Sequence, residues 1–186
     1  MSRAGVTVER IVAAAAEIAD ESGYDTLTLA RIGERLGVRP PSLYKHVESL
    51  ADVQHRLATR AMTELGEWIR DALLGLSGRE ALAGLARVTR GYVAAHPGRY
   101  AATIGATFTG PDDPLLAAST RVIEAIAAVL RGYGLREQEM VHAIRTIRCA
   151  LHGYAVLAAT GGFQWSGDPE ESFDWMVAFI DRGLAQ

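Results

Sequence analysis

Apolar residues recur at three- and four-residue intervals along most of the chain and nowhere alternate with polar ones, so the pattern predicts helices and no strands. Val8, Ile11, Val12, Ala15, Ile18 and Ala19 form one stripe, with Thr7 as its cap and Gly23 as its stop. Leu29, Ile32 and Leu36 form a second stripe behind Thr28, ended by Gly37. Pro40 and Pro41 can open a short third helix but cannot sit inside one, and within it Leu43 and Val47 point inward. A long fourth helix carries Val53, Leu57, Ala61, Leu65, Trp68, Ile69 and Leu73 from Ser49 to about Gly75. Ser77 and Glu80 have capping-box spacing and open a fifth, through Leu82, Leu85, Val88, Tyr92 and Val93, which Pro97 closes. A shorter helix is predicted over 98–108, then one from Pro114 past Leu130, one from about Arg136 to Thr160, and a last from Asp168-Pro169 to about Leu184.

These patterns give an all-α protein of about nine helices, divided into an N-terminal three-helix domain over 1–48 and a helical body over 49–186. The stretch from Leu36 to Val47 reads as the turn and second helix of a helix-turn-helix DNA reader, whose Ser42, Tyr44, Lys45 and His46 stay free to meet a ligand. A net charge of -3 argues against a nucleic-acid binder, so the distribution decides. Residues 26–46 hold Arg31, Arg35, Arg39 and Lys45 against Glu34 alone, whereas from residue 61 onward 11 basic side chains face 14 acidic ones. Positive charge therefore sits with the reader, although Arg31 and Arg35 read as solvated. Arg3, in a loose N-terminal arm, is a further candidate for a phosphate.

Cys149 is the sole cysteine, which excludes a disulfide framework and a CxxC metal clip. The N-terminus lacks the layout of a signal peptide, and no run of about 18 apolar residues spans a bilayer, so a cytoplasmic location is expected. Neither a GxSxG, HExxH or P-loop motif nor a dinucleotide fingerprint is present; the chain reads as no enzyme, with no cofactor and no metal.

Thr28 to Leu50 resembles the tetracycline-repressor (TetR) family of bacterial transcriptional regulators. The residues that carry the likeness are Gly23, Thr28, Ile32-Gly33, Gly37-Val38 and Leu43-Tyr44-Lys45-His46-Val47, and His152-Gly153 with Thr160-Gly161-Gly162 are similar to one C-terminal subgroup. Two positions depart from the family pattern: Val47 replaces a phenylalanine, and Leu50 replaces a lysine that contacts DNA phosphate. The resemblance implies a repressor that binds a near-palindromic double-stranded operator as a homodimer, with reader helices one helical turn apart, and a small-molecule effector that releases it. It assigns Tyr44 and His46 to phosphates. Arg39, Ser42 and Lys45, with Pro41 beside them, are left to base edges or nearby phosphates, and Thr28 to a phosphate or to its helix cap.

An effector pocket needs apolar walls and a few polar groups; Trp68, Tyr92, Tyr100, Phe108, His142, Arg145, Cys149, His152 and Tyr154 are its candidates. His142, Arg145, Cys149 and His152 make a polar stripe at spacings of three and four, open to a pocket, a dimer contact or plain solvation, and least of all to a metal, since one Cys and two His ten residues apart form no compact ligand set. The family's four-helix dimer bundle would draw on Ala143, Ile147, Ala150 and Ala155 with Phe173, Val177 and Ile180. The competing reading is a dimeric helical ligand- or protein-binding protein with weak or no operator binding, for which Leu50 is the hint.

Overall fold

The computed structural model describes residues 5–185, so Arg3 lies outside the described residues. The fold is all-α. The helices are α1 (Val8–Ser22), α2 (Leu29–Leu36), α3 (Leu50–Ala72), α4 (Gly78–Ala95), α5 (Pro97–Ala101), α6 (Pro114–Arg131), α7 (Glu137–Ala159) and α8 (Pro169–Leu184), with short 3-10 helices at Tyr24–Thr26 and Pro40–Lys45. The caps act as the sequence predicts: Thr7, Thr28 and Asp168 each accept a backbone N–H of the first helical turn. The predicted helix over 98–108 is shorter, because Gly105 and then Gly110-Pro111 turn the chain out of it.

The chain packs as two compact units, Met1–Thr63 with His96–Ala117 and Glu64–Ala95 with Ala118–Gln186. In the first, Ile11, Ile18, Ile32, Leu43 and Leu57 are fully buried together with the alanines of α1, and Val47, Val53 and Leu115 close the same cluster. Each such aliphatic side chain contributes about 1.5–3 kcal/mol relative to exposure. Leu50 packs against this core, which gives the leucine a structural role where the family has its lysine. In the second unit α4 packs on α7 and α8, burying Leu82, Leu85, Tyr92, Ile147, Leu151, Phe173 and Val177. Ile147, Ala155, Phe173 and Val177 are thus core of their own chain, and this corrects the expectation that they supply a dimer contact. Periodicity marked them as apolar without saying whose core they fill.

Candidate nucleic-acid interface

The reader begins where α2 stops. Gly37 sits at φ 68, and its N–H returns to Glu34, turning the chain within one residue. Pro40 and Pro41 follow, and the next segment closes through the Ser42 N–H on the Arg39 carbonyl at 2.9 Å and the His46 N–H on that of Leu43 at 2.9 Å. The result is a 3-10 helix over Pro40–Lys45 in place of the predicted α-helical turn.

That change aligns the side chains. With about three residues per turn, positions three apart eclipse one another. Pro40 and Leu43 form the inner column, Leu43 at 0% exposure. Pro41 and Tyr44 form a second, with Tyr44 59% exposed, and Arg39, Ser42 and Lys45 a third. Arg39, Lys45 and His46 are exposed, and their side chains have no hydrogen-bond or ion-pair partner among the described residues. An outward column of guanidinium, hydroxyl and ammonium beside a phenol is a set of donors aimed at acceptors outside the chain.

The other two arginines of the basic window are taken. Arg35 pairs with Glu17 at 3.1 Å and also with Glu21 on α1, and its guanidinium holds the Glu21 carboxyl below the usual range. Arg31 donates to Ser22 at 2.9 Å and to Thr26. Both clamp α2 to α1 rather than standing solvated, and the charge left at the reader is that of Arg39 and Lys45. Thr28 is exposed, and its hydroxyl accepts the Arg31 N–H at 3.2 Å, which is the capping role. After the reader, Ser49 accepts the Asp52 N–H at 3.1 Å while Asp52 accepts the Glu48 N–H at 3.1 Å, a reciprocal cap that fixes the start of α3 four residues beyond His46.

Candidates for the effector are dispersed. Trp68 meets Tyr92 edge-on at 5.3 Å, and the Tyr92 hydroxyl donates to Glu64 at 3.1 Å. Glu64 was missed in the sequence; its place one helical turn before Trp68 is the only signal for it. His142, Arg145 and Cys149 lie on the exposed side of α7 with His152 half-buried, whereas Phe108, in the other unit, is exposed in the loop after α5. Tyr100 is half-buried in the first unit. Tyr154 is core: its hydroxyl donates to the Pro169 carbonyl and its ring lies 4.8 Å from that of Phe163 and 5.1 Å from that of Phe173.

Residues 11–49 match the family model described as bacterial regulatory proteins, tetR family, and residues 82–180 match the tetracyclin repressor-like C-terminal domain. The HTH-type transcriptional regulator YobS of Bacillus subtilis is 33% identical over 98% of this chain and 94% of its own. An HTH-type transcriptional regulator of Mycobacterium tuberculosis is 35% identical over 95% and 80%. Among solved structures, BioQ with its double-stranded DNA operator superposes with a TM-score of 0.70 at 22% identity, covering 97% of this chain and 99% of that one. Streptomyces coelicolor ActR in complex with (S)-DNPA gives 0.71 at 20%, covering 97% and 98%, and these two likenesses show the fold. The reader motif, the two matched domains and relatives that run the length of the chain together place this protein in the tetracycline-repressor family of transcriptional regulators.

Proposed function

We propose that the protein is a repressor that binds a near-palindromic operator as a homodimer and leaves it when a small molecule binds the helical body. The observation that carries this is the outward column of Arg39, Ser42 and Lys45 beside Tyr44, whose side chains the rest of the chain leaves uncommitted. Arg39 and Lys45 read base edges, with guanine O6 and N7 as their natural acceptors, while Tyr44 and His46 hold phosphates and Pro41 packs alongside. Thr28 adds its helix N-terminus. Residues 1–48 do the reading and 49–186 the regulation. That BioQ was solved with an operator and ActR with a small molecule supports the reading by analogy of fold. A regulator of this kind acts in the cytoplasm and carries out no reaction.

The dimer forms through α7 and α8. Trp175 and Phe179 stack at 5.2 Å on the outer face of α8, 63% and 58% exposed, and Val141 and Leu157 are exposed on α7. A twofold axis brings each patch against its own copy and buries it twice. Substituting both Trp175→Glu and Phe179→Glu is expected to halve the solution mass at micromolar concentration by sedimentation, with helix content kept; an unchanged mass places the interface elsewhere. Of the effector candidates, Trp68 and Tyr92 with Glu64 supply aromatic walls and a carboxylate within one unit. His142, Arg145, Cys149 and His152 are further candidates in that unit, and Phe108 is a separate one in the other.

Selection of bound duplexes from a random pool at two salt concentrations tests the function. The expected result is one motif with twofold symmetry, half-sites about one helical turn apart and an affinity that falls steeply with salt. A folded dimer that enriches no motif removes the repressor reading and favours a helical protein that binds ligands or other proteins only.

A further inference from the structure

The end of the chain carries its charges in two blocks of opposite sign. From Met140 to Gly167, most of α7 and the loop after it, there are two arginines and no acid; from Asp168 to Asp181, nearly all of α8, there are five acids and no lysine or arginine. Three of those acids are committed within the chain. Asp168 accepts the Glu170 N–H at 2.8 Å, Glu170 pairs with Arg90 at 2.8 Å, and Asp181 accepts the Tyr133 hydroxyl at 2.7 Å and stands 3.6 Å from Arg79.

Glu171 and Asp174 are exposed, as are Arg145 and Arg148 on α7, and the side chains of these four make no hydrogen bond or ion pair among the described residues. They stay apart within one chain because α7 and α8 touch further on. The Tyr154 ring lies 5.1 Å from that of Phe173 and its hydroxyl donates to the Pro169 carbonyl, about two turns past Arg148. Arg145 and Arg148, three apart, share the outer face of α7 with Val141, while Glu171 and Asp174, likewise three apart, flank Trp175 on α8. Each exposed apolar patch of this surface thus lies beside uncommitted charge of one sign.

We infer that in the dimer α7 of each chain lies against α8 of its copy, with Arg145 and Arg148 facing Glu171 and Asp174 of the partner subunit. The inference rests on the dimer proposed through these two helices and adds which helix meets which. A twofold that set α7 on its own copy would bring arginines against arginines and carboxylates against carboxylates, whereas the crossed arrangement gives every charge its opposite at two equivalent contacts. A foreign partner would have to match both blocks; a second copy matches them because it carries the same two. The pairing also sorts partners, since a related chain with another charge layout on these helices meets like charges. Arg145 thereby leaves the effector candidates and joins the contact between copies.

Sedimentation of the full chain tests this, with dimer dissociation read in about 0.05 M and about 0.5 M salt. The wild-type dimer is expected to weaken roughly fivefold in the higher salt, where a contact between like helices would tighten. Arg145→Glu with Arg148→Glu should weaken it at least about tenfold in low salt, and adding Glu171→Arg with Asp174→Arg to the same chain should restore it to within about threefold, because the crossed contact is then reversed but whole. All four positions are exposed, and unchanged helix content by circular dichroism checks that the variants fold. A double variant that dissociates like wild type, or a quadruple variant no tighter than the double, overturns the inference. If the quadruple variant does not fold, Arg145→Gln with Arg148→Gln decides by sign, weakening a crossed contact and tightening one between like helices. A wild type that dimerises through Trp175 and Phe179 yet ignores every charge change keeps the proposed face and removes only the pairing, whereas a monomeric wild type removes both.

Discussion

Replacing Tyr44 and Lys45 together by alanine is expected to lower affinity for the selected operator at least about hundredfold, read by fluorescence anisotropy at fixed salt. The size follows from what the two side chains give to DNA: a well-made base or phosphate interaction contributes about 1–3 kcal/mol, and a dimer forfeits each of them at both half-sites. Stability should stay within about 0.5 kcal/mol, because both side chains are exposed and take no part in the core beneath Leu43 and Val47. The single changes separate the roles. On the proposed roles Lys45→Ala should relax preference at one base of each half-site, whereas Tyr44→Phe should weaken all sequences alike and reduce the salt slope little, since a phenol carries no charge. Undiminished operator affinity in the double variant would move the reading surface away from the 3-10 helix.

The second large effect is on stability. At Gly98 an added Cβ would stand 2.0 Å from both the carbonyl carbon and the oxygen of Ala19 and 2.6 Å from the Asp20 nitrogen. These are backbone atoms of α1 and do not swing aside, so Gly98→Ala has to separate α5 from α1 and disturb the Asp20–Arg99 bonds. Overpacking of this kind costs about 3 kcal/mol, which for a chain of this size lowers Tm by about 6–12 °C. The control is Gly91→Ala on α4, where nothing lies within 4 Å of the added atom and the helix gains about 0.5–1 kcal/mol. Equal melting of Gly98→Ala and wild type would mean that α5 does not rest on α1 in solution.

Local physics made much of this legible. Thr7, Thr28 and Asp168 cap helices because a cap needs only a side-chain oxygen two or three residues ahead of a free N–H. Gly37 makes the turn through its own φ, and Leu43 and Val47 point inward because each falls on the apolar side of a short segment. The exposure of Arg39, Tyr44, Lys45 and His46 was readable for the same reason. The 3-10 geometry of the reader was not, since Pro40 and Pro41 suit the first turn of either kind of helix, and α-helical spacing is what the sequence predicts.

What the sequence by itself determined, then, is most of the helices, their caps and the polar residues around Tyr44, all governed by interactions between residues a few positions apart. Only the tertiary structure decided the partners. Arg35 meets Glu17 and Glu21 across two helices, His55 meets Asp113 and His96 meets Asp20 from far along the chain, and Ile147 and Phe173 fill their own chain's core while Trp175 and Phe179 stay outside. The reason is physical: a period of 3.6 residues states which face of a helix avoids water, and an ion pair or a buried face takes its partner from whatever element the fold brings to it.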